Sequence, residues 1–411
     1  MKTHLLILFL CLLLTFALPA AAEQGSVRIM LASDLHYLAP ELYQDSQIFT
    51  QLISAADGKA AMYSKELLAA LLDEARHQQP DVLVLSGDLT FNGERLSHQE
   101  LADAMRSLAT EGIPVVVIPG NHDINSPSPV RYLPYSYEPT DNVDSQAFGE
   151  IWSGLTAEEM TGPGFCGLFR VTNDVWLAMG DYSLYENGAV SSFGLATAGH
   201  LQWVNEAANA AAKAGATMIS VSHQALVPHT SFASDAYRVW YGEQAVGALV
   251  GAGCRLNLSG HMHMQHITTL GRMTDIATGA WSMTPHHYAI ITVTPDGAIS
   301  YGAETVCQKH LPEGVLEASR AFFRSVSAAK MGRSLQELSL SAEDAESMVN
   351  YSVDLHEAYF AGTIAHHPEL IDHPARELWM TAGGSSSFGS YIEMMLSDCT
   401  QEMCSWSSKQ D

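Results

Sequence analysis

Basic residues are scarce in this chain. Only 20 Lys and Arg stand against 45 Asp and Glu, a formal net charge of −25 over 411 residues. Such a surface repels a phosphate backbone, which excludes DNA and RNA polymers as partners. A small anionic substrate stays compatible if a metal supplies local positive charge. Cysteine is scarce too, with six residues at positions 11, 166, 254, 307, 399 and 404. Removal of a leader takes Cys11 and leaves an odd, scattered set, which is no disulfide framework. Cys399 and Cys404 are either a pair, which export permits, or two free thiols. The apolar run Leu5 to Leu18 is interrupted only by Cys11 and Thr15. It is short for a spanning helix. With Lys2 before it and Ala20-Ala21-Ala22 after it, residues 1–22 read as an export signal. An extracellular or cell-envelope location follows as an expectation.

What the chain has is an ordinary globular composition, 47% hydrophobic and 16% charged. That suits one large α/β domain with an appendage. Ser26 to Ala32 reads as a strand ending in Ser33-Asp34-Leu35-His36. Asp and His two apart at a strand end point to one side, which suits ligands for one ion. An amphipathic helix over 63–78 leads to the buried strand 81–86 and Gly87-Asp88. A second helix over 97–110 leads to the β-branched strand 113–118 and Gly120-Asn121-His122-Asp123. The β–α–β–α–β order implies parallel strands with right-handed crossovers, so the three polar clusters share one sheet edge.

Residues 125–165 show no period and read as a long loop, either a wall of the site or a structural excursion. Strands are expected at 167–172, 175–179, 217–222 and 255–258, and helices at 198–214 and 241–250. The strand 217–222 ends at His223, with His229 as a rival six residues on; the strand 255–258 ends in Ser259-Gly260-His261-Met262-His263. The stretches 265–270, 273–278, 287–294 and 297–305 read together as an antiparallel second sheet. After residue 310 strands give way to helices at 315–331, 342–360 and 388–399, with Pro368, Pro374 and Gly383-Gly384 as breaks. His366, His367 and His373 there read as solvated helix ends.

Carboxylate, imidazole and amide oxygen donors suit divalent Mn, Fe or Zn. Eight polar strand-end residues are too many for one ion, and two ions sharing a bridging carboxylate fit better. None is a cysteine, which argues against a structural zinc site.

These blocks resemble the calcineurin-like metallophosphoesterases. The match runs as Asp34-Leu35-His36, Gly87-Asp88, Gly120-Asn121-His122-Asp123, His223 and Gly260-His261-Met262-His263, all in order over about residues 27 to 305. The resemblance implies a two-sheet αββα sandwich over 26–306 and a helical C-terminal domain over 310–411. It implies that Asp34, His36, Asp88 and His263 hold one divalent ion. Asp88, Asn121, His223 and His261 would hold a second, with Asp88 bridging and the ions activating water. His122 would stabilise or protonate the leaving-group oxygen, and Asp123 would orient His122 and raise its pKa. The run Gly87 to Glu94 and the helical tail resemble the exported bacterial branch that hydrolyses cyclic nucleotide phosphodiesters. Asn92 would lie near the substrate phosphate or act as a turn residue. A phosphomonoesterase or nucleotidase on the same site is the neighbouring alternative; an inactive exported binding protein is the alternative outside catalysis. No partner for the helical tail is implied.

Overall fold

The computed structural model describes residues 25–55, 57–185, 191–230, 235–336, 338–382, 387–398 and 401–408. The export-signal segment and Cys399, and with it the Cys399–Cys404 pairing, lie outside these residues. Two six-stranded sheets stack face to face. The first contains β1 (Val27–Ala32), β2 (Val82–Ser86) and β3 (Val115–Ile118). The second contains β4 (Gly167–Arg170), β5 (Val175–Gly180), β6 (Thr217–Ser222), β7 (Leu256–Ser259), β8 (His266–Leu270) and β9 (Met273–Ala277). The chain then returns to the first sheet with β10 (His287–Val293) and β11 (Ile299–Thr305), and at its end with β12 (Ser405–Ser407). The strand orders are β12-β11-β10-β1-β2-β3 and β8-β9-β7-β6-β5-β4.

Strands β1, β2 and β3 are parallel, as are β5, β6, β7 and β9. Their carboxyl ends therefore collect at one edge of the sandwich, where open α/β sheets place their sites. Alternation along β1 explains the stacking. Ile29 and Leu31 face the second sheet, against Leu177, Ile219 and Leu258. Met30 and Ala32 face the opposite way, toward the helices α1 (Ser64–Gln78) and α2 (Arg95–Thr110). Both faces of the strand are buried, so its sequence is apolar without a break. Outside the second sheet lie α3 (Ala198–Ala214) and α4 (Gly242–Gly251), packed through Trp203, Val204 and Leu249. The layers are thus helix, sheet, sheet, helix.

Helix α5 (Val315–Ser334) packs on the sandwich through Val315 and Phe323, while α6 (Ala342–Phe360), α7 (Pro374–Ala382) and α8 (Ser387–Asp398) make a separate apolar cluster around Tyr351, Leu355, Trp379 and Met395. Met264 of the sandwich belongs to that cluster. Each such fully buried side chain contributes roughly 1.5–3 kcal/mol by leaving water. Gln265 ties the two parts together: its backbone N–H donates to Phe360 O at 2.9 Å and its side chain to Met403 O at 2.7 Å. Among the described residues no helix is long and apolar enough to cross a membrane.

Four expectations need correction. The four stretches after residue 265 do not form one sheet. Strands β8 and β9 join the second sheet, whereas β10 and β11 extend the first, antiparallel to β1. Hairpin spacing shows which strands pair but not which sheet they enter. Strands do not end at residue 310, because β12 pairs with β11 through Tyr301 and Trp406. Three residues are too few to carry a period. The stretch 125–165 holds a short hairpin, Val130–Tyr132 with Tyr137–Pro139, and a helix Ser145–Ile151 capped by the Asp144 carboxylate. Finally, Pro374 opens α7 rather than breaking a helix, as its fixed φ suits the first helical turn.

Candidate active site

The strand-end blocks converge between the two sheets. Asp34 and His36 follow β1, and Asp88 follows β2. Asn121 and His122 follow β3; His223 follows β6; His261 and His263 follow β7. Strand alternation does not bring Asp34 and His36 together, since β1 ends at Ala32. Both lie in the left-handed region, with φ 54° and 43°. Asp88, His261 and His263 do too, at 46°, 65° and 57°. Left-handed backbone at residues with side chains is costly and concentrates at functional sites. Here it folds short loops back so that both donors of a block turn inward.

The donors fall into two groups whose ligand atoms lie within 4.8 Å of one another: Asp34, His36, Asp88 and His263, and Asp88, His223 and His261. In the first, His36 Nε2 is 3.1 Å from His263 Nε2 and 3.6 Å from Asp88 Oδ2, and His263 Nε2 is 3.4 Å from Asp34 Oδ1. In the second, His223 Nε2 lies 3.3 Å from Asp88 Oδ1 and 3.0 Å from Asn121 Oδ1. Donors at right angles around an ion, each about 2.1 Å from it, are roughly 3.0 Å apart. Asp34 Oδ2 accepts from the backbone of His261 at 2.9 Å, while buried Oδ1 has no hydrogen-bond partner. A buried orphaned carboxylate oxygen facing imidazoles fits a cation. His223 Nδ1 is held by Ser86 O at 2.9 Å, which leaves Nε2 as the free lone pair. These residues fit divalent ions.

His229 is the wrong candidate at this site. It packs on His266, with Nδ1 atoms 3.0 Å apart, and its Nε2 is 3.4 Å from Asp275. Glycine is required at position 120, because a Cβ there would sit 2.3 Å from Asp88 Oδ1 and 2.8 Å from His223 Nε2. The fields are strong. Burial pushes the Asp34 and Asp88 carboxyls up, but neighbouring histidines more than offset it and hold both below the ordinary range. Burial also pushes His36 well below its usual value and His261 down to about 3. His223 is the exception: burial opposes charging, yet Asp88 raises it to about 9.

The expected contact between Asp123 and His122 is absent. The Asp123 carboxylate accepts from Leu89 N, Thr90 N, Thr90 Oγ1 and Gly120 N, at 3.0, 2.9, 2.9 and 2.8 Å. It clamps the loop that carries Asp88 to the loop that carries Asn121. His122 turns away from it, because Nδ1 lies 3.1 Å from both Phe91 O and Asn92 Oδ1. Those two oxygens orient the ring. Nor is the His122 pKa raised; burial pulls it down to about 4. Adjacent residues in a turn point apart, so sequence neighbours were the wrong partners. Behind them, Trp152 Nε1 donates to His98 Nδ1 at 3.1 Å, which puts the His98 proton on Nε2, 2.9 Å from Asp123 O.

A cavity of about 530 Å³ opens above the donors, with Asp88, Asn121, His122, His261 and His263 in its floor. The opposite wall comes from the helical region: Val326 and Lys330 of α5, Phe360 of α6, and Phe388 and Tyr391 of α8. Sequence reasoning missed this wall, and it missed Lys59, which also lines the cavity. No spacing marks these residues. His366, His367 and His373 do lie elsewhere. His366 pairs with Glu402 and His367 with Glu369, each at 2.9 Å, and His373 stacks on Tyr351.

Both parts of the chain are similar to known proteins. Residues 317–402 match the model for the C-terminal domain of cyclic nucleotide phosphodiesterase. A 55-residue stretch is 40% identical to a Synechococcus protein named "Probable cyclic nucleotide phosphodiesterase"; it covers 13% of this chain and 20% of that relative, so the chain matches a fifth of the relative's length. Among solved structures, a dimetal phosphatase from Danio rerio aligns at TM-score 0.48 and 14% identity, over 69% of this chain and 97% of that one. A phosphopantetheinyl hydrolase from Mycobacterium tuberculosis aligns at 0.35 and 12%, over 62% and 92%. Residues 27–265, more than half of the chain, match the calcineurin-like phosphoesterase model, and the chain belongs to that family of metal-dependent phosphoesterases.

Proposed function

We propose that the chain is an exported dinuclear phosphodiesterase that hydrolyses cyclic nucleotides. One observation carries the dinuclear part. The two oxygens of Asp88 face different donor groups, Oδ2 toward His36 and Oδ1 toward His223. Asp34, His36, Asp88 and His263 would hold one ion, and Asp88, Asn121, His223 and His261 the other, drawn from Mn, Fe or Zn. Two such ions supply Lewis acidity toward phosphate oxygens and make water acidic enough to attack at neutral pH. The side chains do the rest. His122 lines the cavity with Nδ1 donating to Phe91 O and Asn92 Oδ1, so Nε2 is the nitrogen left to face the leaving oxygen, and negative charge developing there would raise the ring's pKa and let it take up a proton. Asp123 positions the two ligand loops. The preference for cyclic nucleotides is supported by the match over residues 317–402, the helices of which wall the cavity. Export is supported by the pattern of residues 1–22.

Purified protein, assayed for bound metals and against cyclic nucleotides, mononucleotides and bis-p-nitrophenyl phosphate, tests the reading. Chelator-sensitive hydrolysis of a cyclic nucleotide, with two ions per chain, is the expected result. Turnover confined to monoesters would replace the diesterase reading with a nucleotidase, and no turnover at all would favour a binding protein.

A further inference from the structure

Lys59 is the unexplained charge at the site. Lysine is almost never fully buried without a partner, yet Lys59 is only 7% exposed and lines the cavity beside Asp88, His122 and His263. Its backbone carbonyl accepts from Ala61 N at 2.9 Å, but among the described residues its ammonium makes no hydrogen bond and has no carboxylate within 4.0 Å. Its neighbour Asp57 pairs instead with Lys330 of α5, at 3.4 Å. Burial pulls the Lys59 pKa down, against the charges of Asp88, Asp34 and Asp57, which favour the ammonium.

The loop that delivers it is tightly held. Asp57 and Gly58 are both left-handed, with φ 56° and 88°. A Cβ on Gly58 would sit 2.9 Å from the ring of Phe323 of α5, so only glycine lets the loop lie against that helix. On the other side, Ala60 N donates to Ser282 O at 2.8 Å. Lys59 is thus clamped between the sandwich and the helical region.

Charge count points to its ligand. The donor groups contain two carboxylates, Asp34 and Asp88, beside imidazoles, which would bind ions in their neutral form, and an amide. Two divalent ions would leave a formal surplus of positive charge even before Lys59 is added. A buried ammonium beside such a centre is unfavourable until an anion joins it. We infer that Lys59 binds a non-bridging oxygen of the substrate phosphate, and that α5 of the helical region holds it in place. The inference rests on the phosphoesterase reading of the site and adds to it a substrate-binding residue and a task for the helical region.

The test measures binding of inorganic phosphate to the metal-loaded full chain by calorimetry, beside metal content, melting temperature and bis-p-nitrophenyl phosphate kinetics. Lys59→Met should weaken phosphate binding at least roughly tenfold and raise KM comparably, as loss of a charge-assisted hydrogen bond does. It should lower kcat less, with metal content and melting unchanged. Lys59→Arg should restore part of the binding. Gly58→Ala, which pushes the loop off Phe323, should weaken phosphate binding with Lys59 still present. Phosphate affinity within twofold of wild type in Lys59→Met would overturn the inference and leave the family reaction intact. Loss of metal in step with phosphate would overturn it as well, by making Lys59 a part of the ion site's scaffold. A wild type that bound phosphate through Lys59 but hydrolysed no ester would sink the reading of the reaction and not this inference.

Discussion

The floor and the wall of the cavity were made under different constraints. The floor is a set of donors that must be Asp, His or Asn at fixed strand ends, because cations accept few ligand types. The wall is an apolar face of helices that can be built from many residues of about the right size. The floor is therefore written in short blocks such as Gly120-Asn121-His122, while the wall is scattered over Val326, Phe360 and Tyr391. The comparison separates ligand chemistry from packing, and under the proposed function the sandwich would supply the reaction while the helical region would shape what reaches it.

The comparison breaks most visibly at Asp88. Asp88→Asn removes the one side chain common to both donor groups. We expect metal content to fall below one ion per chain and turnover to drop by roughly 10³-fold or more, read by metal analysis and steady-state rates. If Asp88→Asn kept both ions, the shared-ligand arrangement would be wrong. His122→Ala should separate binding from catalysis: roughly 10²-fold lower kcat with metal content kept. Asn92→Ala should follow it with a smaller loss, about tenfold, because the ring keeps Phe91 O as one of its two anchors. A normal rate in Asn92→Ala would return the orienting role to another residue.

The wall should answer differently. Tyr391→Ala should change kcat/KM for a cyclic nucleotide by roughly three- to tenfold and leave bis-p-nitrophenyl phosphate nearly untouched, since stacking on an aromatic contributes on the order of 1 kcal/mol. Equal losses on both substrates would deny the wall a part in selectivity.

A test of stability rather than activity concerns how the helices stay docked. Two serines of α5, Ser319 and Ser327, meet buried histidines, His286 of the sandwich and His356 of α6, each at 2.8 Å. Burial pulls His286 down to about 4 and His356 down to about 3. Both are neutral in the folded chain and become charged near pH 6.5 when unfolded. Their contribution is therefore complete above pH 6.5 and is lost as pH falls toward the folded values, by roughly 1.4 kcal/mol per unit for each histidine. Urea midpoints should fall between pH 6.5 and 5, and replacement of His356 by Leu should flatten that slope. An unchanged slope would mean that His356 already carries a proton in the folded state.

Much of this fold could be read from residue order. The runs Val82 to Ser86 and Val115 to Ile118 are strands because nothing but a doubly covered strand needs such unbroken apolar, β-branched sequence. The helix Ala198 to Ala214 was legible from its period and its Gly215 terminus, which the structure puts in the left-handed cap. Sheet membership was not legible. A hairpin pairs locally, but whether β10 joins β1 or β9 depends on where a loop of several residues leads. The same limit applied to Asp123, where adjacency suggested a contact that the turn forbids.

Sequence by itself determined the donors, their order and the strands that end in them, because ligand chemistry and β-branched burial tolerate few substitutions. Tertiary structure alone decided which side chains touch: Asn92 rather than Asp123 at His122, Asp88 between two donor groups, and the helical region as the roof of the cavity. These are distances between residues far apart in the chain or turned away from each other in a tight loop. They are fixed by packing of whole elements, which no local pattern records.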